Sequence, residues 1–249
     1  MSKVCVVIPT YNEAENLPKL VWALEEELQK EDFKIIVADD NSPDGTAEIA
    51  KKLNERYGNI VIHRRPSKLG IGSAIRVGLK VALSFPDCEH VVTMDADLSH
   101  NPKDVRRLLS EAEDADLVQG SRYMKGGEVI GWSSFRSAVS YAANLLCRLL
   151  FRTQLHEHTS NFRVYSRRCS EMITATLHCE HYEWFIGSIL IAKDNAYRIK
   201  EVPITFTERK RGKSKLKPVN ILKWANYVSK MFFKCLVRDI YHLVFDSKP

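Results

Sequence analysis

Short apolar segments alternate with amphipathic segments through the first half of this 249-residue chain. The apolar segments predict buried strands at residues 4–9, 33–38, 59–63, 90–94 and 116–119. The segments between them repeat their apolar residues at helical spacing, which predicts four intervening helices. Continuous apolar strands that alternate with helices are typical of a mostly parallel sheet with helices on both faces. The sequence therefore predicts an α/β fold.

The pattern changes after Gly120, although the chain shows no internal repeat and no low-complexity linker. Further helices are predicted at residues 135–151 and 219–244, and further strands at residues 162–165 and 197–203. We expect residues 1–218 to form one domain and residues 219–249 to form a C-terminal amphipathic helix. Trp224 and Val228 lie on the apolar side of that helix. This side could pack on the domain or lie in a membrane interface.

Polar clusters directly follow three of the predicted strands. They occupy residues 10–13, 39–45 and 95–97. The carboxyl ends of parallel strands meet at one edge of a sheet, where α/β proteins bind their ligands. A single cluster could be an ordinary loop, but three clusters at one edge predict a binding site.

The most specific of these clusters contains Asp95 and Asp97, which would point to the same side of the chain. Two close carboxylates repel each other unless a cation lies between them, and Mg²⁺ and Mn²⁺ prefer oxygen ligands. In the structural alternative, Asp97 caps the next helix and Asp95 begins a turn. Asp40 could likewise meet a sugar hydroxyl, while Ser42 caps the helix that follows.

The net charge of +6 is unevenly distributed along the chain. Residues 206–249 carry 11 Lys and Arg against three acidic residues, so the remainder has a slight acidic excess. A local basic segment favours an anionic partner. The alternatives are a solvated loop and a nucleic-acid surface, but nucleic acid is not expected because the acidic clusters would repel its phosphates.

Cysteine usage and hydropathy predict where the protein acts. The six cysteines form no C-x-x-C pair, which favours reduced thiols in a cytosolic protein. The N-terminal segment predicts a strand rather than a signal peptide, and no apolar run approaches the roughly 18 residues that span a bilayer. We expect any membrane contact to be peripheral or to involve a partner.

Six ordered motifs carry a resemblance to a known family. They are Pro9-Thr-Tyr-Asn-Glu13, Asp39-Asp-Asn-Ser-Pro-Asp-Gly45, Lys68-x-Gly-x-Gly-x-Ala74, Met94-Asp-Ala-Asp-Leu-Ser-His100, Gly120-Ser-Arg-Tyr123 and Arg209-Lys-Arg-Gly-Lys-Ser-Lys-Leu216. Together they resemble the dolichol-phosphate mannosyltransferases (polyprenol-phosphate mannose synthases), inverting family 2 glycosyltransferases with a Rossmann-like GT-A fold. The resemblance implies transfer of mannose from GDP-mannose to a dolichyl or polyprenyl phosphate, with Mg²⁺ or Mn²⁺ as cofactor.

The resemblance also implies which residues bind the donor nucleoside. Pro9, Tyr11 and Glu13 would form the guanosine pocket, and Asp40 would lie on its nucleoside side. Lys215 would contribute a mobile positive charge to a phosphate group. The family further implies a location on the cytoplasmic side of a membrane (the endoplasmic reticulum in a eukaryotic cell) and a possible small membrane-spanning partner subunit.

The expected reaction centre comprises the acidic pair and two arginines. By the resemblance, Asp95 and Asp97 would hold the metal and the donor diphosphate, with Ser99 near the metal. Arg122 and Arg209 would bind phosphates, and these two with Asp97 are the expected catalytic residues. A phosphate acceptor is largely ionised at pH 7, because its second pKa is about 6, so it needs no general base.

Two departures from the family pattern border the expected acceptor side. Residues 157–162 read Glu-His-Thr-Ser-Asn-Phe where the family has Asp-x-Thr-Ser-Gly-Phe, and Gly187 stands where glutamate is usual. If the acceptor were a sugar hydroxyl, Glu157 would be the first candidate for a general base. A UDP-glucose donor and another acceptor remain alternatives. A sugar nucleotidyltransferase is disfavoured because the loop after the first strand is not rich in glycine.

Overall fold

The computed structural model of the protein describes residues 3–209 and 218–245. Its strands are β1 (Val4–Thr10), β2 (Phe33–Asp39), β3 (Ile60–Arg64), β4 (His90–Thr93), β5 (Leu117–Ser121), β6 (Glu128–Ile130), β7 (Arg163–Ser166), β8 (Ile199–Pro203) and β9 (Thr205–Thr207). Its helices are α1 (Leu17–Glu27), α2 (Thr46–Tyr57), α3 (Ile71–Leu83), α4 (Asp104–Ala112), α5 (Ser134–Leu150), α6 (Arg167–Thr176), α7 (Glu183–Asp194) and α8 (Pro218–Phe245). Lys215 lies outside the described residues, so its role stays a prediction.

The main sheet has the strand order β3-β2-β1-β4-β7-β5-β8, and β6 pairs with β9 in a small second sheet. Strand β1 is parallel to β2 and β4, β2 is parallel to β3, and β5 is parallel to β8. Strand β7 runs antiparallel to both of its neighbours, β4 and β5. The prediction of a mostly parallel sheet is confirmed.

The direction of β7 determines which loops reach the edge of the sheet where the carboxyl ends of the parallel strands lie, which we call the functional edge. Thr93, at the carboxyl end of β4, pairs with Arg163 at the amino end of β7. The segment that precedes β7 therefore emerges beside the segments that follow β1, β2, β4 and β5. Loops that enter and loops that leave the sheet meet at one edge.

Helices cover both faces of the sheet because successive residues of a strand point to opposite sides. Val6 and Ile8 of β1 pack in one buried cluster with residues of α1, α2 and α4. Cys5 and Val7 of β1 pack in a second buried cluster with residues of α3, α6 and α7. The layered arrangement predicted from the sequence is confirmed.

Helix α8 packs on the domain through the side that contains Trp224 and Val228, which form a cluster with residues of α5 and α7. Gly187 of α7 lies under this helix, since a Cβ atom there would be 2.7 Å from the Tyr227 hydroxyl oxygen. The departure from the family pattern at Gly187 therefore leaves room for α8. Within the described residues, none of the helices combines the length and apolarity needed to cross a membrane.

Helix α5 differs from the sequence expectation. Its aligned apolar residues include Val139 and Leu146, which are exposed, whereas Asn144 and Cys147 are buried. The reason is that α5 joins the apolar cluster of α7 and α8 mainly through its carboxyl-terminal end, near Cys147 and Phe151. Much of its apolar side therefore faces outward. Helices α6 and α7 and the short strands β6 and β9 were not predicted.

The packing of α3 against β1 generates a testable prediction, because a Cβ atom on Gly78 would overlap Val7 Cγ1. We expect Gly78→Val to lower the free energy of unfolding by about 1–3 kcal/mol, the usual cost of overpacking a core. Urea denaturation measures this loss. Lys80→Val places the same residue on the exposed side of α3 and should change stability by no more than about 0.5 kcal/mol. Equal stability of the two variants would contradict the packing argument.

Candidate active site

A cleft of about 470 Å³ lies at the functional edge of the sheet. It brings together residues that the sequence assigned to a site: Pro9, Tyr11, Glu13, Asp40, Asp95, Asp97, Arg122 and Arg209. These residues belong to β1 or to the segments that follow β1, β2, β4, β5 and β9. Ser99 does not line the cleft but donates a hydrogen bond to Asp97.

Asp97 is held by groups that stabilise its ionised form. The Ser99 backbone N–H and hydroxyl donate to Asp97 Oδ1 at 3.1 and 2.5 Å. Arg209 Nη2 lies 2.9 Å from Asp97 Oδ2. Burial disfavours ionisation of Asp97, but the Arg209 charge and the Ser99 hydrogen bonds outweigh it and hold its pKa below the usual value. This carboxylate is therefore a preformed site for positive charge.

Asp95 is oriented through both its backbone and its side chain. Its N–H donates to His100 Nδ1 at 3.1 Å, and its Oδ1 accepts from Asn161 Nδ2 at 3.0 Å. His100 is buried and stacks on Phe162, with ring centres 5.0 Å apart. Nδ1 accepts from the Asp95 amide, and burial lowers the pKa of His100, which favours the neutral ring that this contact requires.

The donor set at the cleft fits a divalent cation. Asp95 and Asp97 supply two hard carboxylates at the same cleft. Within residues 3–209 and 218–245, no three His, Cys, Asp or Glu side chains form a group that could hold a metal ion. The carboxylate pair would therefore share the cation with ligand phosphates, as is usual for Mg²⁺.

Asp40 lines the cleft, but its carboxylate is occupied by the protein. Arg65 Nη1 pairs with Oδ1, and both groups are buried. The backbone N–H groups of Leu69 and Gly70 donate to Oδ2 at 3.2 and 3.1 Å. Burial raises the pKa of Asp40, against the lowering effect of Arg65 and these amides. Asp40 thus anchors the loop before α3, and its expected contact with the nucleoside stays a prediction.

The loops after β1 and β2 are joined through Asp39. Its carboxylate accepts from the Thr10 hydroxyl at 2.8 Å and from the Ser42 backbone N–H at 2.8 Å. Ser42 Oγ in turn accepts from the Asn12 N–H at 3.0 Å. The expectation that Ser42 caps α2 was wrong, because that helix begins at Thr46 and Ser42 is held in the loop connection.

Arg122 and Glu157 form a buried, bidentate ion pair. Arg122 Nε and Nη2 donate to the two carboxylate oxygens at 2.7 and 2.9 Å. Thr159 also donates to Glu157, through its N–H at 2.9 Å and its hydroxyl at 2.7 Å. Burial would raise the pKa of Glu157, but the Arg122 charge and these hydrogen bonds dominate and lower it to about 2. Glu157 does not line the cleft, which argues against its use as a general base.

Comparison with known proteins identifies the family. The profile of glycosyl transferase family 2 matches residues 5–173. The chain belongs to glycosyl transferase family 2. It is 38% identical over 222 residues to the polyprenol monophosphomannose synthase of Mycolicibacterium smegmatis, a match that covers 88% of this chain and 83% of that protein. It is 33% identical over 230 residues to the undecaprenyl-phosphate mannosyltransferase of Micrococcus luteus, covering 89% and 93%.

Solved structures show that this glycosyltransferase has the predicted GT-A fold. A mannosyltransferase from Pyrobaculum calidifontis, solved with GDP-mannose and Mn²⁺, is 20% identical with a TM-score of 0.56; the match covers 84% of this chain and 58% of that one. Glucosyl-3-phosphoglycerate synthase from Mycobacterium tuberculosis, solved with Mn²⁺, UDP-glucose and phosphoglyceric acid, is 20% identical with a TM-score of 0.63, covering 89% and 75%. The resemblance found in the sequence and the assignment as an enzyme are confirmed.

Several contacts around the glycosyltransferase cleft were not predicted from the sequence. Arg65 pairs with Asp40 across 25 positions of sequence, and no local pattern marks it. The pairing of Arg122 with Glu157 spans 35 positions. Asn161 was visible only as a departure from the family pattern. His100 belonged to a recognised motif, but its contact with the Asp95 amide required the folded loop.

The Arg122–Glu157 pair predicts a specific pH dependence of stability. Glu157 has a pKa of about 2 in the folded protein and about 4.3 when unfolded, so its contribution is complete above that unfolded value and disappears as the pH falls to 2. We expect protonation of the Glu157 carboxylate to account for about 3 kcal/mol of the free energy of unfolding that is lost in acid. Glu157→Gln should lower stability at pH 7 by about 3–5 kcal/mol, because it leaves Arg122 buried and unpaired.

Urea denaturation between pH 2 and pH 7 checks this prediction. The Glu157→Gln variant should have a shallower pH dependence than the wild type. The matched control is Glu48→Gln, which removes one partner of the half-exposed Arg64–Glu48 pair and should change stability by at most about 1 kcal/mol. Parallel pH profiles for wild type and Glu157→Gln would refute the assignment.

Proposed function

We propose that the enzyme transfers mannose from GDP-mannose to a dolichyl or other polyprenyl phosphate, with inversion at the anomeric carbon and with Mg²⁺ or Mn²⁺ as cofactor. The sugar and the acceptor class are supported by two relatives with 38% and 33% identity, which are named polyprenol monophosphomannose synthase and undecaprenyl-phosphate mannosyltransferase. The observation that carries the proposal is the cleft, where the Asp95–Asp97 pair lies with Arg122 and Arg209. Such a site can receive a cation and two phosphate-bearing substrates.

The donor would occupy the side of the cleft formed by the loops after β1, β2 and β4. Pro9, Tyr11 and Glu13 would contact guanosine. Asp95 and Asp97 would hold the cation, which when bound supplies positive charge beside the diphosphate leaving group. Arg209 would stabilise the negative charge that develops on the same diphosphate when the anomeric bond breaks. Ser99 would act through Asp97, whose carboxylate it orients, and Lys215 would bind a phosphate.

The acceptor phosphate would approach Arg122 on the other side of the cleft. Glu157 and Thr159 hold this guanidinium, and the rings of Trp132 and Phe206 lie 5.2 Å from its Cζ. The acceptor oxygen is already ionised at neutral pH, so its attack requires no proton acceptor. This agrees with a buried and paired Glu157. Attack opposite the leaving diphosphate gives inversion.

Ligand-dependent thermal stability tests the donor. We expect GDP and GDP-mannose at 100 times Kd to raise the midpoint by about 5 to 10 °C in the presence of Mn²⁺. UDP and UDP-glucose should have a smaller effect. Asp97→Asn should abolish the Mn²⁺ dependence and lower transfer at least about 100-fold, whereas the exposed Asp87→Asn should leave both unchanged. A larger rise of the midpoint with UDP-sugars than with GDP-mannose would show that the proposed donor is wrong.

The product tests the acceptor and the stereochemistry. Incubation with GDP-mannose and a polyprenyl phosphate should yield a mannosyl phospholipid of inverted anomeric configuration, determined by the one-bond C1–H1 coupling in its NMR spectrum. The same lipid without its phosphate serves as the acceptor control and should remain unmodified. Retained configuration would exclude the single in-line displacement.

We further propose that the enzyme is peripheral to the cytoplasmic side of a membrane, with residues 1–218 catalytic and residues 219–249 contributing to membrane contact. Helices α5 and α8 both expose large apolar side chains, among them Phe135, Leu149, Leu222 and Phe233. Apolar side chains and nearby lysines are the residues that interfacial helices use. A small membrane-spanning subunit could bind the same helices.

Vesicle sedimentation tests this location. The double substitution Phe135→Ser and Leu149→Ser should reduce binding to vesicles with anionic headgroups at least about tenfold, because both side chains are more than half exposed. Trp22→Ser removes an aromatic residue of α1 that is also more than half exposed, and it should have no effect. If the wild type does not sediment with vesicles, the proposed membrane contact through α5 and α8 is wrong.

A further inference from the structure

Asn161 brings an amide into the cleft at a position where the family pattern has glycine. It lies in the segment between α5 and β7, and the reversed direction of β7 places it beside the loop that follows β4. The residue is almost completely buried, yet it lines the cleft. Its amide is therefore an addition of this chain to the site.

The orientation of this amide follows from its contact with Asp95. Asn161 Nδ2 is 3.0 Å from Asp95 Oδ1, and a carboxylate can only accept, so the amide nitrogen must face Asp95. This leaves Oδ1 of Asn161 buried and without a hydrogen-bond partner among the described residues. A buried carbonyl oxygen without a donor is unfavourable, and a bound ligand can supply that donor.

Three hydrogen bonds hold the loop that carries Asn161. The Thr93 hydroxyl donates to the Asn161 carbonyl oxygen at 2.7 Å. Arg163 Nε donates to the Ser160 carbonyl at 3.0 Å, and the His158 N–H donates to Asn144 Oδ1 at 2.6 Å. The amide oxygen therefore keeps its place before a ligand arrives, and binding does not have to order it.

We propose that Asn161 is a sugar-binding residue, whose Oδ1 accepts a hydrogen bond from a hydroxyl group of the donor sugar. This inference rests on the proposed function, because it needs a nucleotide-sugar donor. An amide oxygen cannot bind a phosphate oxygen, since both are acceptors, but a sugar hydroxyl can donate to it.

The position of the loop agrees with this role. Thr159, two residues before Asn161, accepts from Arg122 Nη2 at 2.8 Å, while Asn161 itself contacts Asp95. The loop thus spans from the arginine assigned to the acceptor phosphate to the carboxylate assigned to the donor diphosphate. The sugar moves from one phosphate to the other, so it must lie beside this loop.

Calorimetric titration of full-length protein with GDP and with GDP-mannose, both in the presence of Mn²⁺, tests the assignment. The variants are Asn161→Leu, which keeps the size of the side chain, and Asn161→Gly, which removes it and remains informative if the leucine variant does not fold. The exposed Asn195→Leu is the control. For both Asn161 variants we expect the affinity for GDP-mannose to fall about 3- to 10-fold more than the affinity for GDP, whose own loss reports the contact with Asp95. Asn195→Leu should behave as wild type.

Monodeoxy analogues of GDP-mannose identify the hydroxyl. The analogue that lacks it should bind wild type about 3- to 10-fold more weakly than GDP-mannose and should lose nothing further in the Asn161 variants. An equal loss of GDP and GDP-mannose affinity overturns the assignment, because an amide acting only on Asp95 or the cation would affect both ligands. Unchanged affinity for both ligands also overturns it. If the wild type binds neither ligand, the proposed function itself fails, and this inference fails with it.

Discussion

Strand β7 runs against its neighbours, and the composition of the cleft depends on that direction. In a wholly parallel sheet, only the segments that leave the strands would reach the functional edge. Here the segment that enters β7 reaches it too, because Thr93 at the end of β4 pairs with Arg163 at the start of β7. Glu157, Thr159 and Asn161 reach the site by this route. Without the reversal, Arg122 would lack its carboxylate and Asp95 its amide.

Two buried ion pairs fix the positions of side chains and loops around the cleft. Arg122 with Glu157 lies on the side that we propose for the acceptor, and Arg65 with Asp40 anchors the loop that leads into α3. Burying charges is costly, so such pairs persist only where hydrogen bonds satisfy the remaining oxygens, as the Thr159 and Gly70 N–H groups do here. The result is a set of charged groups positioned before substrate binds. This preorganisation is what stabilisation of a developing diphosphate charge requires.

The contrast between the two halves of the chain shows how far sequence patterns reach. Helix α3 is one of the four helices predicted between the strands. Its apolar residues Ile75 and Leu79 are buried, because one face of the helix meets the sheet along its whole length. Helix α5 has an equally clear apolar side, yet Val139 on that side is exposed. An apolar pattern shows that a helix has two faces, but only its neighbours decide which face is covered.

By itself, the sequence determined the α/β fold, the family, and the set of strand-end residues that meet in the cleft. These features depend on local periodicity and on motifs whose residues are close in the chain. Only the tertiary structure decided that Glu157 is a buried partner of Arg122 rather than a base, that Asp40 is occupied by Arg65, and that Asn161 touches Asp95. These contacts join residues 25 to 66 positions apart. Their existence depends on strand order and direction, which no local pattern encodes.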